Sequence, residues 1–245
     1  MKKITSIALT ALLIACMAAG FAPEEHSYAV TNGVVKKGGY MYYYKSGKKV
    51  TNANVKIKGT WYHFSAKGRG FRSLLNKKGN KAMSKVIDNV KFTSKLSKKG
   101  KMKRCYQYIV KMSYLPTPEP DTSQSGWYYG EAKNMAYNKG GKCYGFASLT
   151  AVAARAMGYG NVKLHYGKAR RKKSDKMTPH CWVTVGSKVL DASYDNSYRL
   201  RTGSSKLKFF FKTYDDIKKN PDNFKVEYKD KKIYKLKERR SGKGR

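Results

Sequence analysis

From Cys143 to Met157 the chain carries Phe146, Ala147, Leu149, Ala151, Val152, Ala153, Ala154 and Met157, and Gly158 follows directly. An Ala-rich helix that is apolar nearly all round has no face for solvent, so it must be the buried centre of a domain. Gly158 is the stop expected just past a helix C-terminus. Beyond it the apolar residues alternate: Val162, Leu164 and Tyr166 predict one strand, Cys181 to Val185 a second and Lys188 to Ala192 a third. Lys168 to Lys176 reads as a basic loop between the first two, and Leu207 to Phe211 and Phe224 to Tyr234 as further strands or a hairpin. Before the buried run the spacing is helical. Phe71 to Lys101 predicts one or two short helices, and Met102 to Tyr114 a better one through Met102, Tyr106, Ile109, Val110 and Met112. Pro116, Pro118 and Pro120 end it, and a further helix is predicted from Trp127 to Asn138. Helices packed on an antiparallel sheet make the expected class α+β, with the main domain over residues 71–238.

Upstream, Gly33 to Gly70 is rich in Gly, Tyr and Lys. Its aromatic clusters Tyr40-Met41-Tyr42-Tyr43-Tyr44 and Trp61-Tyr62-His63-Phe64 repeat: Gly39 lies over Gly59, Tyr42 over Tyr62 and Tyr44 over Phe64. Each unit predicts a strand with aromatics on alternating sides and a turn at Ser46-Gly47 or Lys67-Gly68, hence a small β-hairpin repeat module over residues 30–70. The pair loosely resembles the cell-wall-binding repeats of Gram-positive surface proteins, the choline-binding type. That resemblance implies Tyr42, Tyr44, Trp61, Tyr62 and Phe64 as wall-binding residues. The same pattern also reads as an N-terminal hairpin packed on the main domain.

Met1, Lys2 and Lys3 precede an apolar run from Ile4 to Phe21 and a polar stretch, the layout of a signal peptide over residues 1–29 with Ser27-Tyr28-Ala29 at its cleavage site. Leu13-Ile14-Ala15-Cys16 also fits a lipoprotein box, in which an acylated Cys16 would hold the protein at the membrane. The expected location is therefore extracellular or in the cell wall, with the membrane as the alternative. No later segment approaches the roughly 20 apolar residues that span a bilayer. The chain has 53 Lys and Arg against 15 Asp and Glu, a formal charge of +38. Such an excess concerns surface and partner rather than fold. Anionic wall polymers would be attracted in a salt-dependent way, whereas no nucleic-acid motif points to nucleic acid as a specific partner. The lysines read equally as a solvated face. Residues 239–245 read as a basic disordered tail.

Three cysteines follow Ala29: Cys105, Cys143 and Cys181. An odd number leaves at least one thiol unpaired in a monomer. Gly141-Lys142-Cys143-Tyr144-Gly145, Pro179-His180-Cys181-Trp182 and Val189-Leu190-Asp191-Ala192-Ser193 stand in that order. A cysteine attacks carbonyls as its thiolate, and the first turn of a helix favours that anion, so Cys143 is placed to be a nucleophile. The glycines before it are expected to let the backbone turn sharply into the helix. His180, at the start of a strand, is placed to take the thiol proton and return it to a leaving group. Asp191, on the neighbouring strand, would accept the other ring N–H and fix the tautomer. Successive strand residues point to opposite faces, so Cys181 would face away from Cys143.

This order resembles the transglutaminase-like superfamily, with its Cys at the start of a buried helix, its His in a His-x-Trp strand and its Asp on the next strand. The resemblance implies a papain-like core, no cofactor and an acyl-enzyme on Cys143, resolved by water in a peptidase or amidase or by an amine in an acyltransferase. It implies a peptide or protein substrate; at a cell surface, peptidoglycan stem peptides or wall proteins would serve. Ala192-Ser193 stands where many members have Pro-Thr, and Cys181 where Ala or Ser is commoner. The oxyanion would be met by the backbone N–H of Cys143 and by a second donor from Gln124 to Trp127 or another loop. Other readings are a fold that has lost activity and serves as a wall-binding or adhesive module, or a polyanion-binding surface protein. A disulfide from Cys143 to Cys105 or Cys181, or a zinc site from Cys143, His180 and Cys181, would silence the thiol. His165, with no acidic or Cys neighbour in the sequence, and His63, among aromatics, read as packing residues.

Overall fold

A computed structural model describes residues 32–171, 175–219 and 226–236. The signal peptide with its Cys16 alternative and the basic tail lie outside the described residues. The described chain opens with two three-stranded antiparallel sheets, β1 (Gly33–Lys37), β2 (Tyr40–Lys45) and β3 (Lys48–Lys49), then β4 (Ala53–Ile57), β5 (Thr60–Phe64) and β6 (Gly70–Arg72). Their tight turns, Gly38-Gly39, Ser46-Gly47 and Lys58-Gly59, have positive φ at both central residues, the geometry whose twist suits a two-residue hairpin. Gly39 and Gly59, the pair that marks the repeat, therefore close equivalent hairpins. The sheets pack on the helices behind them. The Tyr40 hydroxyl donates to the Val90 carbonyl at 2.5 Å and accepts from the Phe92 amide at 2.9 Å, and Phe71 sits in the main core. Tyr42, Tyr44, Trp61 and Tyr62 are half-buried. Phe64 corrects the expectation for it: it is fully buried against Tyr43, because its strand is covered on that side, and it is withdrawn from any ligand.

Helix α1 (Lys77–Ile87) starts at the Asn76 cap and α2 (Lys98–Val110) at the Ser97 cap, each side chain accepting from the amide three residues on. The helix expected to reach Tyr114 ends at Val110; Tyr114 instead lies in β7 (Ser113–Tyr114). Helix α3 (Trp127–Asn138) has the expected bounds, and β8 (Gly140–Gly141) runs parallel to β7. Then α4 (Cys143–Ala156) is buried along its whole length. Gly145 admits α3 closely, since a Cβ there would lie 3.2 Å from the Met135 sulfur.

Strands β9 (Val162–Arg170), β10 (Thr178–Val185), β11 (Lys188–Leu190) and, after helices α5 (Ala192–Thr202) and α6 (Tyr214–Lys218), β12 (Glu227–Lys235) form one antiparallel sheet in the order β11-β10-β9-β12. Helix α4 lies against β9 and β10. Strand β9 takes Lys168 to Arg170 out of the predicted basic loop, and α5 begins where the third strand was expected to continue. Leu207 to Phe211 is not a strand. It is held instead by a buried carboxylate: Asp195 accepts from the amides of Lys208 and Phe209 and from the Tyr106 hydroxyl at 2.6 Å. Among the described residues no helix is long and apolar enough to cross a membrane.

Burial raises the Asp195 carboxyl from 3.8 to about 7, against the lowering effect of those three hydrogen bonds. A folded value above the unfolded one means that the fold holds the extra proton, so stability falls as pH rises from about 4 to about 7. Asp195→Asn is expected to remove that part of the fall. Urea midpoints of the two proteins across this range check it, and parallel pH profiles would place the titration elsewhere.

Candidate active site

Cys143 is the first residue of α4, after the extended Lys142, and no side chain caps this helix start. The amides of the first turn thus remain directed at the sulfur end of the site. The reversal before it is made by Lys139, whose φ of 52° is left-handed, and not by the glycines. Gly140 is needed for proximity: a Cβ there would lie 2.5 Å from the Leu115 side chain. That close approach lets β7 pair with β8, with the Ser113 amide on the Lys139 carbonyl at 2.9 Å and the Leu115 amide on the Gly141 carbonyl at 3.2 Å.

The same pairing brings Tyr114 to Cys143. Its ring stacks on Phe146 at 6.1 Å, and Tyr114 and Cys143 border the same cleft. Burial first, then the charge of Cys143, raises the phenol above its usual 10, so it keeps its proton at neutral pH. Asn196 anchors this strand from the other side, its amide donating to the carbonyls of Val110 and Met112 at 2.7 and 2.9 Å.

His180, on β10, is buried, with Nε2 2.7 Å from Asp191 Oδ2. Nε2 is taken by Asp191, which leaves Nδ1 for the sulfur of Cys143 on the same cleft. Burial alone would lower the imidazole; the charge and hydrogen bond of Asp191, then those of Cys143, outweigh it and raise the ring from 6.5 to about 10. The ring also stacks on Tyr194 at 4.2 Å, a face that favours the charged form. Asp191 is not within a strand but just past β11, where it caps α5 by accepting from the Tyr194 amide at 3.1 Å. Ser193 and the Tyr228 hydroxyl donate to the same carboxylate at 3.1 and 3.0 Å. Every lone pair that could draw Asp191 away from His180 is thereby occupied.

Cys143, His180 and Asp191 are thus brought together, and Cys143 and His180 line a cleft of about 800 Å³ between Tyr114, the facing ends of β9 and β10, and α5. Tyr114, Tyr194 and Tyr228 had no signal in the sequence beyond the first Tyr lying before the prolines. Gln124 and Trp127 are not at the site. Gln124 bonds to Asp121 at 3.0 Å and borders a separate cleft with Tyr128 and Tyr234, and Trp127 packs edge-on to Tyr144 and Tyr234. Cys105 and Cys181 are buried thiols like Cys143, with no disulfide between them. Burial pushes Cys105 up to about 12 and Cys181 well above the usual 9. Cys181 lies in the main core and Trp182 in a second cluster, so the adjacent strand residues do diverge, but Cys181 shares its cluster with Cys143 and does not face away from it as expected. Among the described residues no three His, Cys, Asp or Glu side chains are grouped to hold a metal ion.

His165 has an acidic partner after all. Strand β12 brings Asp230 to its Nδ1 at 2.8 Å, Thr184 meets Nε2 at 2.9 Å, and the ring stacks on Trp182 at 5.1 Å. Burial lowers its pKa, so the His165 ring of this second His-Asp pair favours its neutral form.

No curated protein and no solved structure matches the chain significantly. Residues 86–192, from the end of α1 through Asp191, match the family model of the transglutaminase-like superfamily.

Proposed function

We propose that the chain is an exported thiol enzyme that cleaves or transfers peptide or amide acyl groups at the cell surface through an acyl-enzyme on Cys143. The observation that carries this reading is the buried His180–Asp191 pair, with His180 and Cys143 lining one cleft. In the proposed cycle the sulfur attacks the carbonyl, and the developing oxyanion is met by the Cys143 N–H and by the Tyr114 hydroxyl on the same cleft. Protonated His180 gives its proton to the leaving amine and takes one from the incoming water or amine. Asp191 holds the imidazolium in place throughout.

The aromatic sheets and the basic surface would keep the enzyme on an anionic wall, where stem peptides or wall proteins supply acyl donors. Tyr42, Tyr44, Trp61 and Tyr62 are the side chains on offer for wall sugars. A cleft bordered by Lys99, Lys103, Lys206, Lys208 and Lys212, with no acidic residue, suits non-specific attraction to polyanions.

The test needs no known substrate. The folded protein is treated with iodoacetamide from about pH 5 to about pH 9 and the modified cysteines are mapped by mass spectrometry. Cys143 is expected to react first, with Cys105 and Cys181 protected until unfolding. An inert Cys143 would sink the enzyme reading and leave a binding module.

A further inference from the structure

A single leucine left in water needs no explanation, because much of any protein surface is apolar. Position makes two such side chains informative here. Among the described residues the two most exposed large apolar side chains are Leu200, at 63%, and Tyr114, at 53%, and both border the cleft that holds Cys143 and His180.

Both are held in place. Leu200 lies one turn beyond Asn196 on α5, so the two share a helix face. Asn196 is buried and ties that face to the carbonyls of Val110 and Met112, just before β7. Tyr114, on β7, has one ring face stacked on Phe146, and about half of the residue remains open. The same tie therefore fixes both side chains on one frame beside the sulfur. Pro179, also exposed on this cleft, adds to its apolar lining. Left in water, Leu200 contributes little to the fold, whereas covering its apolar area is favourable. We infer that Leu200 and the open part of the Tyr114 ring receive a large apolar side chain of the acyl donor near the reacting carbonyl, and that the donor is a protein segment rather than a wall stem peptide, whose side chains are small or charged. This rests on the thiol-enzyme reading and narrows its substrate class.

Two neutral reagents with the same reactive head test it: iodoacetamide, and iodoacetamide carrying a benzyl group on its nitrogen. Each rate at Cys143 is divided by the rate with free cysteine, which removes the difference in intrinsic reactivity, and the benzyl-to-plain ratio is the readout. The wild type is expected to favour the benzyl reagent about tenfold, since its ring covers apolar area on the cleft wall. Leu200→Gln keeps a good helix former of similar size at an exposed position. It is expected to lower the ratio about fivefold and to leave the iodoacetamide rate unchanged. A wild-type ratio near or below one, as a cleft made for small side chains would give, overturns the inference while the thiol remains reactive, and so does a ratio that Leu200→Gln leaves unmoved. A Cys143 inert to both reagents overturns the thiol-enzyme reading beneath it.

Discussion

Replacing His180 by alanine is expected to slow the alkylation of Cys143 at neutral pH on the order of a hundredfold, with the protein still folded and Cys105 and Cys181 still protected. Two features of the site favour an anionic sulfur, and their sizes differ. The start of α4 contributes about 0.3–1 kcal/mol, up to roughly 2 in a partly buried setting, which is at most a few tens-fold in rate. A full positive charge within hydrogen-bonding reach is worth more: at about 4 Å and an effective dielectric near 20 the attraction is about 4 kcal/mol before desolvation is subtracted. His180 carries that charge because Asp191 and the stacked Tyr194 sustain it in a buried place. If the variant reacts as fast as the wild type, the helix start alone activates the thiol and the Cys–His pair is not the working unit. Mass-spectrometric rates at Cys143 decide between the two.

What could be read in the chain was local. A buried helix needs only its own composition to be visible, and Cys143 to Ala156 is apolar on every side; α3 likewise falls on its predicted residues. Cys143, His180 and Asp191 each stand beside a strong local pattern, a glycine pair, a His-x-Trp strand and the end of a short strand. The remainder of the site depends on pairings that local pattern does not hold. Tyr114 reaches Cys143 only because Lys139 adopts a left-handed turn and Gly140 lets β7 and β8 touch. Tyr228 reaches Asp191, and Asp230 reaches His165, only because β12 pairs with β9 across the intervening helices. Alternation suggested a strand at Leu207 to Phe211, but those amides are taken by Asp195, and a segment so held has no ladder to join. Phe64 was misread because its repeat partner Tyr44 is half-exposed; the two occupy equivalent strand positions on sheets that are covered differently.

Asp191→Asn tests the other end of the chain. The amide keeps the size of the carboxylate and an oxygen for the Tyr194 amide that caps α5, so α5 should survive the change. What it loses is the charge. Without it, burial is the dominant influence on His180, and the ring is expected to fall from about 10 to below the ordinary 6.5. The imidazole would then be neutral at physiological pH, in a tautomer no longer fixed by a carboxylate, and turnover of an amide substrate is expected to drop by roughly 10³ to 10⁴. The same shift appears in stability, with a sign that follows from linkage. A histidine raised above its unfolded value stabilises the fold fully below about 6.5, and this contribution is lost as pH rises through about 10. Wild-type protein should therefore weaken toward urea between those limits more steeply than Asp191→Asn. NMR titration of the His180 ring gives the direct reading: a wild-type ring that titrates at its ordinary value, or one that Asp191→Asn leaves unmoved, would mean that Asp191 caps a helix and does not govern the proton on which the proposed chemistry depends.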